Sequence, residues 1–317
     1  MTNTSDGVEV LQGRDVPLGG LRAITVRRTL PHRDRSFIGA WCFVDHYGPQ
    51  DVAPNGEGGM DVPPHPHTGL QTVSWLFQGE IEHRDSGGVI GPVRPGEVNL
   101  MTSGKGIAHS EVSTPQTRVL HGVQLWVALP EADRDTARAF EHFAPEPADL
   151  PDGAGTARVF LGTLPGVASS PVQTYTPLMG AELHLNPGTT LDLDVQPDFE
   201  YGLLVDSGDI TFEGEKLPLA ALGCVEPGRR TLRIEVGDEP ALLILLGGTP
   251  FEEEIVMWWN FVGRDHDEIV AFREEWQARS DRFGEVPGYV GRVEWIPAPE
   301  MPPLRLRARN RRGKVPR

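Results

Sequence analysis

The sequence predicts an all-β chain, two β-domains of one architecture in tandem with a helix near the C-terminus. Three observations predict it. Glycine (37 residues) and proline (29) punctuate the whole chain, which favours short strands and tight turns over long helices. The strand-like runs fall into two sets, divided by a turn-rich stretch without periodicity from Ala144 to Gly155. A strand–Gly–strand pattern in the first set, WLFQGEIEHRD around Trp75, is echoed in the second by GLLVDSGDITFEG around Leu203, and the PGE step at Pro95 by the EPG step at Pro227.

After a polar lead-in with one short strand (8–12), strands are expected at 21–29, 37–46, 71–78, 80–84, 97–102 and 122–128. Six runs at this spacing point to an antiparallel sandwich or barrel. Residues 130–143 are expected to hold a short helix. The second set runs through 156–161, 173–177, 181–185, 189–195, 201–207, 209–213, 217–222, 231–236 and 241–246. A helix is then expected from Asp265, an N-cap with Glu268 three residues on. It would continue through Ile269, Phe272, Arg273 and Trp276, with Arg279 and Arg282 near its C-terminal end and Gly284 as the stop. The domain organisation drawn from these runs is 1–135, a linker at 136–155, and 156–317 with the helix and a basic tail.

A formal charge of −16 argues against direct binding to nucleic acid or an anionic membrane. The exception is Leu304–Arg317, with seven basic residues and no acid, read as a solvated tail. Cys42 and Cys224 lie far apart without CxxC spacing, so they are expected to be buried thiols. The N-terminus lacks the basic and apolar regions of a secretory signal. The most apolar run, Ala241 to Leu246, is too short to span a bilayer. The expectation is a soluble cytoplasmic protein. No phosphate loop surrounds Gly104-Lys105, and no Gly-x-Ser-x-Gly elbow is present.

Two motifs carry chemistry. His65-Pro66-His67 precedes His109-Ser110-Glu111, and His109 follows His67 by 42 residues. On a strand, residues i and i+2 share a face, roughly 7 Å apart. Two such pairs on neighbouring strands can place three imidazoles and one carboxylate around one point. That is a mononuclear metal site with positions left open. Pro64 and Pro66 stiffen the first pair, and Gly104 and Gly106 allow the tight turn into the second. His32, His46, His121, His142, His184 and His266 have no such partner in sequence.

The stretches PPHPHTGLQTVSWLFQGEIEHRDS, PGEVNLMTSGKGIAHSE and GVQLWVALP, with LLGGTPFEEEIVMWWNFVGRDHDEI later, resemble the pirin family of the bicupin superfamily. The resemblance implies two cupin (jelly-roll β-barrel) domains. It also implies a metal, usually iron, held in the first barrel by His65, His67, His109 and Glu111. One departure is Gln71, where the family pattern commonly has Glu; its amide is expected to hydrogen-bond a ligand or bound water. In the second barrel, Phe199-Glu200-Tyr201 and Arg229-Arg230 stand near where the two motifs would fall, so no metal is expected there.

Fe(II) is the expected ion, with Ni, Mn, Co, Cu and Zn also compatible with the donor set. The resemblance implies activity of the quercetin 2,3-dioxygenase type on a flavonol-like enol and O2, with Glu111 as proton acceptor as well as ligand. His83 is a candidate cavity residue. Trp75, Phe77, Leu100, Met101 and Trp126 are candidates for pocket walls or barrel core. The alternative is an iron-dependent redox-sensing regulator that binds a metabolic enzyme or a transcription factor.

Overall fold

The structure, a computed structural model, describes residues 7–17, 24–53, 58–291 and 293–313. The strands of the first 143 residues are β1 (Glu9–Leu11), β2 (Arg14–Pro17), β3 (Thr25–Leu30), β4 (Trp41–Asp51), β5 (Asp61–His67) and β6 (Leu70–Gln78). They continue as β7 (Ile81–Asp85), β8 (Ile90–Val93), β9 (Val98–Thr102), β10 (Ile107–Ser113), β11 (Val119–Ala128) and β12 (Ala139–Phe143). The strands expected in this half are present, most with ends shifted by a few residues; residues 18–23 lie outside the described set. In the second half no strand forms over 173–177, and 217–222 divides into the end of one strand (Glu215–Leu217), a turn, and the start of another (Leu222–Val225).

The chain forms two compact units, each a cupin barrel of one seven-stranded and one four-stranded sheet. In the first unit the sheets run β12-β9-β6-β11-β4-β3-β2 and β5-β10-β7-β8. Pro64 and Pro66 lie in β5, an edge strand paired only with β10. An edge is where a strand tolerates residues that cannot donate to the ladder.

In the second unit the larger sheet takes β1 and then Leu222–Val225, Glu200–Ser207, Ala241–Gly248, Leu178–Leu185, Gly155–Leu161 and Ala148–Asp149. The smaller takes Thr190–Asp194, Thr231–Val236, Ile210–Phe212 and Glu215–Leu217. Strict alternation along Thr190–Asp194 and Thr231–Val236 sends Leu191, Leu193, Leu232 and Ile234 into an aliphatic core.

The internal echo holds at Trp75 and Leu203. β6 and Glu200–Ser207 are both third in their seven-stranded sheets, and each hands on to the third strand of the smaller sheet. The glycines at the two turns have matching backbone, Gly79 at φ +94° and Gly208 at φ +95°. Only glycine takes that conformation without strain. The PGE and EPG steps are not equivalent. Pro95-Gly96 leads into β9, second in the larger sheet, while Pro227-Gly228 leads into Thr231–Val236, second in the smaller.

The units do not follow the contiguous spans expected from the sequence. Residues 7–14 and Phe37–Trp41 belong with residues 143–251, whereas residues from Glu252 onward belong with the first barrel. Pairing explains the first exchange, because β1 is laid against Leu222–Val225. Burial explains the second. The helix α1 (His266–Gln277) seats Ile269 and Trp276 in a cluster with Phe261, Phe283 and Ala108, the last of these on β10. The expected linker is also structural. Leu150 and Ala154 are buried in the second barrel, and Leu150 N–H donates to the Gly155 carbonyl.

Asp265 caps α1 as expected, accepting from Glu268 N–H at 2.9 Å. The helix stops earlier than expected, at Gln277. Arg279 takes φ +54° there, and Gly284 serves a later turn. No helix forms over 130–143. Asp133 and Thr136 N–H donate three residues back, to Pro130 and Asp133, so the chain makes successive turns before β12. The Thr136 carbonyl is used elsewhere, accepting from Lys105 N–H.

That carbonyl also faces Gly104, in the turn that enters β10. Gly104 has φ +49°, and a Cβ there would overlap the Thr136 carbonyl oxygen. Gly104→Ala is expected to destabilise the protein by more than about 1 kcal/mol. A thermal melt should show the loss, and an unchanged midpoint would refute this account. Among the described residues no helix is long and apolar enough to cross a membrane.

Candidate metal centre

β10 is flanked by β5 and β7, and this three-strand arrangement assembles the site. His109 is in register with His65 on β5 and with Asp85 on β7, and Glu111 faces His83 on β7. A register shift between His109 and Glu111 on the β5 side breaks the regular ladder between these two residues. Such irregularities are how strands re-aim side chains near functional sites.

The structure brings His65, His67 and His109 together. One ring nitrogen from each lies within 4.8 Å of the others, and all three side chains are buried. The His67 and His109 Nε2 atoms are 3.1 Å apart. Glu111 is not in that group. It is buried on the same strand, and its Oε1 accepts from Ser74 Oγ at 3.1 Å. Ser74 Oγ also lies 3.1 Å from Gln124 Oε1.

The donor chemistry fits a cation. A carbonyl can only accept, so the His65 Nδ1 contact with the Pro63 carbonyl at 2.9 Å places the proton on Nδ1. The His67 Nδ1 contact with the Asn260 carbonyl at 3.1 Å does the same. A neutral ring protonated at Nδ1 has a bare lone pair at Nε2. Burial keeps these rings neutral, lowering His65 to about 4 and His67 and His109 well below the usual imidazole value. Neutral imidazoles with exposed lone pairs are the form in which histidine binds metal.

Electrostatics separate the carboxylate from the imidazoles. Burial pushes the Glu111 pKa up, partly opposed by His83 and by the hydrogen bond from Ser74. Tyr47, on β4, has a fully buried hydroxyl without a hydrogen-bond partner among the described residues. Burial first, and then the charges of Glu111 and Asp45, push its pKa well up.

Several side chains differ from expectation. Gln71 does not reach the site. It shares its face of β6 with Trp75 and donates to Thr102 Oγ1 at 2.9 Å, whereas Ser74 on the opposite face meets Glu111. The alternation of β6 puts four residues after the second histidine on the far side of the sheet. Leu100 follows Gln71 onto that face. Trp126 lies beside the centre, edge-on to His67 at 5.1 Å and stacked on Phe43 at 4.0 Å. His83 is buried with its Nδ1 3.4 Å from His109 Nδ1.

Ser74, Asp85 and Asn260 were not singled out from sequence. Asp85 had a usable signal, since it stands two residues after His83 as His67 does after His65. Asn260 had none, because it acts through its backbone carbonyl. It sits in the hairpin of Val256–Trp258 and Phe261–Gly263, whose backbone is tied to Thr68 by Val262 N–H.

Residues 23–127 match the Pirin family model, and residues 180–284 match the Pirin C-terminal cupin domain. A Pseudomonas aeruginosa protein, provisionally named a quercetin 2,3-dioxygenase, is 42% identical over 92% of this chain and 95% of its own length. A crystal structure of quercetin 2,3-dioxygenase from Acinetobacter baumannii superposes with a TM-score of 0.88 at 37% identity, covering 95% of this chain and 98% of that one. A bacterial pirin from Escherichia coli, solved in complex with nickel(II), shares the fold at a TM-score of 0.58 and 18% identity, covering 77% of this chain and 100% of that one.

Proposed function

The chain belongs to the pirin family, and from that premise we propose that its first barrel holds a single metal ion and acts as a quercetin 2,3-dioxygenase-type oxidoreductase on a flavonol-like enol and O2. His65, His67, His109 and Glu111 would hold the ion. The observation that carries this reading is the convergence of three buried, neutral imidazoles on one point. The names borne by the Pseudomonas and Acinetobacter relatives support the reaction class. Three nitrogens and one carboxylate oxygen suit Fe(II), and also Ni, Mn, Co, Cu or Zn.

A redox-active ion, when bound, supplies Lewis acidity toward the enol oxygen and an electron path to O2. The remaining work falls to the protein's side chains. Glu111, buried on the same strand as His109, is the carboxylate placed to act as proton acceptor. It would take the proton of the flavonol 3-hydroxyl at a carboxylate oxygen. The Ser74 hydroxyl on Oε1 orients that carboxylate. The Trp126–Phe43 stack lines the apolar side of the centre beside His67. Burial of the whole cluster keeps bulk water from competing.

The test is anaerobic loading with Fe(II), followed by quercetin and oxygen, with flavonol absorbance and carbon monoxide release as readouts. Glu111→Gln is expected to keep the ion on its three imidazoles and to lower turnover by roughly 100-fold or more. Absence of turnover in the metal-loaded wild type would overturn the enzymatic reading. Capture of a protein partner in only one iron oxidation state would then favour the regulator.

A further inference from the structure

His109 is the ligand with an imidazole, not a carbonyl, behind it. Its Nδ1 lies 3.4 Å from His83 Nδ1, and His83 Nε2 lies 3.0 Å from Asp85 Oδ2. The other Asp85 oxygen, Oδ1, accepts from Gly87 N–H at 2.8 Å and from Val89 N–H at 3.1 Å. His83, Asp85 and His109 are 3%, 1% and 1% exposed, so the row is shielded from bulk solvent. The β7–β10 register builds it, placing Asp85 opposite His109 and His83 opposite Glu111. Phe140 packs against the His83 ring at 4.8 Å and fixes its plane.

Such a row has one polarity compatible with metal binding. To offer its Nε2 lone pair, a neutral His109 must carry its proton on Nδ1 and donate it. His83 Nδ1 must then accept, which leaves the His83 proton on Nε2. That proton needs an acceptor, and the Asp85 carboxylate is one, itself anchored by two backbone amides. We propose that Asp85 and His83 are positioning residues, a buried relay that holds His109 in the Nδ1–H tautomer and aims its Nε2 at the ion. The proposal rests on the reading of His65, His67 and His109 as metal ligands. His65 and His67 obtain the same orientation from fixed backbone carbonyls. Only His109 depends on side chains for it, so its tautomer can be reversed by mutation.

Asp85→Asn makes that reversal. The Asn carbonyl oxygen can remain on the Gly87 and Val89 amides, which turns its NH2 toward His83 Nε2. His83 must then accept there and donate from Nδ1, and His109 is forced to carry its proton on Nε2, where the ion should sit.

The experiment uses metal-free full-length protein titrated with Co(II) for affinity. Zn(II)-loaded protein with ¹⁵N-labelled histidine then gives the tautomer by two-bond ¹H–¹⁵N correlation. The expected result is an Nδ1-protonated His109 in wild type and about 10- to 100-fold weaker Co(II) binding in Asp85→Asn. His83→Leu should weaken binding similarly, and adding Asp85→Asn to it should cost little more, because the relay is already cut. Additive losses would mean that Asp85 acts only through its turn, and would overturn the relay. Wild-type affinity in Asp85→Asn, or a proton on His109 Nε2 in the Zn(II)-loaded wild type, would also overturn it. Failure of the wild type to bind either ion would be a different result, removing the metal-site reading and the relay with it.

Discussion

His67→Ala is expected to leave a folded protein that no longer retains its metal ion. His67 is 1% exposed and belongs to the only part of the first barrel where three imidazole nitrogens converge among the described residues. Its ring stands 5.1 Å from His65 and 5.0 Å from His109. Removing it leaves two imidazoles and an imperfectly placed carboxylate. The affinity loss should exceed the roughly 100-fold upper range for changes behind a ligand. The fold should survive, because the substitution leaves one acceptor, the Asn260 carbonyl, without its donor. That costs about 1–3 kcal/mol. Elemental analysis after dialysis, alongside a thermal melt, separates the two effects. His184→Ala, in the second barrel, is the control and should bind as wild type. One tightly held equivalent of metal in His67→Ala would sink the site assignment.

The second large effect is on acid stability of the metal-free protein. His65 titrates at about 4 in the folded state, and His67 and His109 lie well below their usual value, in each case mainly through burial. In the unfolded chain each would titrate near 6.5. Above that pH both states are neutral and the histidines contribute nothing to pH dependence. As pH falls from about 6.5 toward 4, the unfolded chain takes up protons that the folded one refuses. Unfolding is therefore increasingly favoured, with a limiting slope of about 1.4 kcal/mol per pH unit for each histidine. Glu111 acts in the opposite sense. Its raised pKa makes the folded state bind a proton first, so it adds stability as pH falls through its own folded value. His184, raised by its hydrogen bond to Glu182, acts in the same sense as Glu111, so two groups oppose three, and the net direction is loss of stability below about pH 6.5. Denaturant midpoints at pH 7, 6 and 5 measure this, and a flat profile would show that the three rings are not held neutral. Saturation with metal should shift the loss to lower pH, because the ion competes with protons for the same lone pairs.

Much of the site was legible because it depends on a local rule. A strand repeats every two residues, so His65 and His67 were certain to share a face once 61–67 was extended, and Pro64 and Pro66 made it so. The same rule would have exposed the His83–Asp85 pair, and it corrects the expectation for Gln71, which sits an odd number of positions from Ser74. The helix start was readable from Asp265 and Glu268 because a cap is made within four residues. Its end was not, because Arg282 there is drawn onto Glu275 and the Lys105 carbonyl, which no local pattern encodes.

The sequence by itself determined the all-β class, the strand–turn–strand echo at Gly79 and Gly208, and the same-face spacing within each ligand pair, since each follows from short-range periodicity and turn chemistry. Only the tertiary structure decided which segments complete each unit. Residues beyond Glu252 close around the first barrel and supply the Asn260 carbonyl that orients His67, and the three residues of β1 extend the sheet of the second. The physical reason is that strand pairing and burial depend on matching surfaces, whatever the separation along the chain. A backbone carbonyl, moreover, can serve as an acceptor wherever the fold carries it, regardless of the side chain it bears.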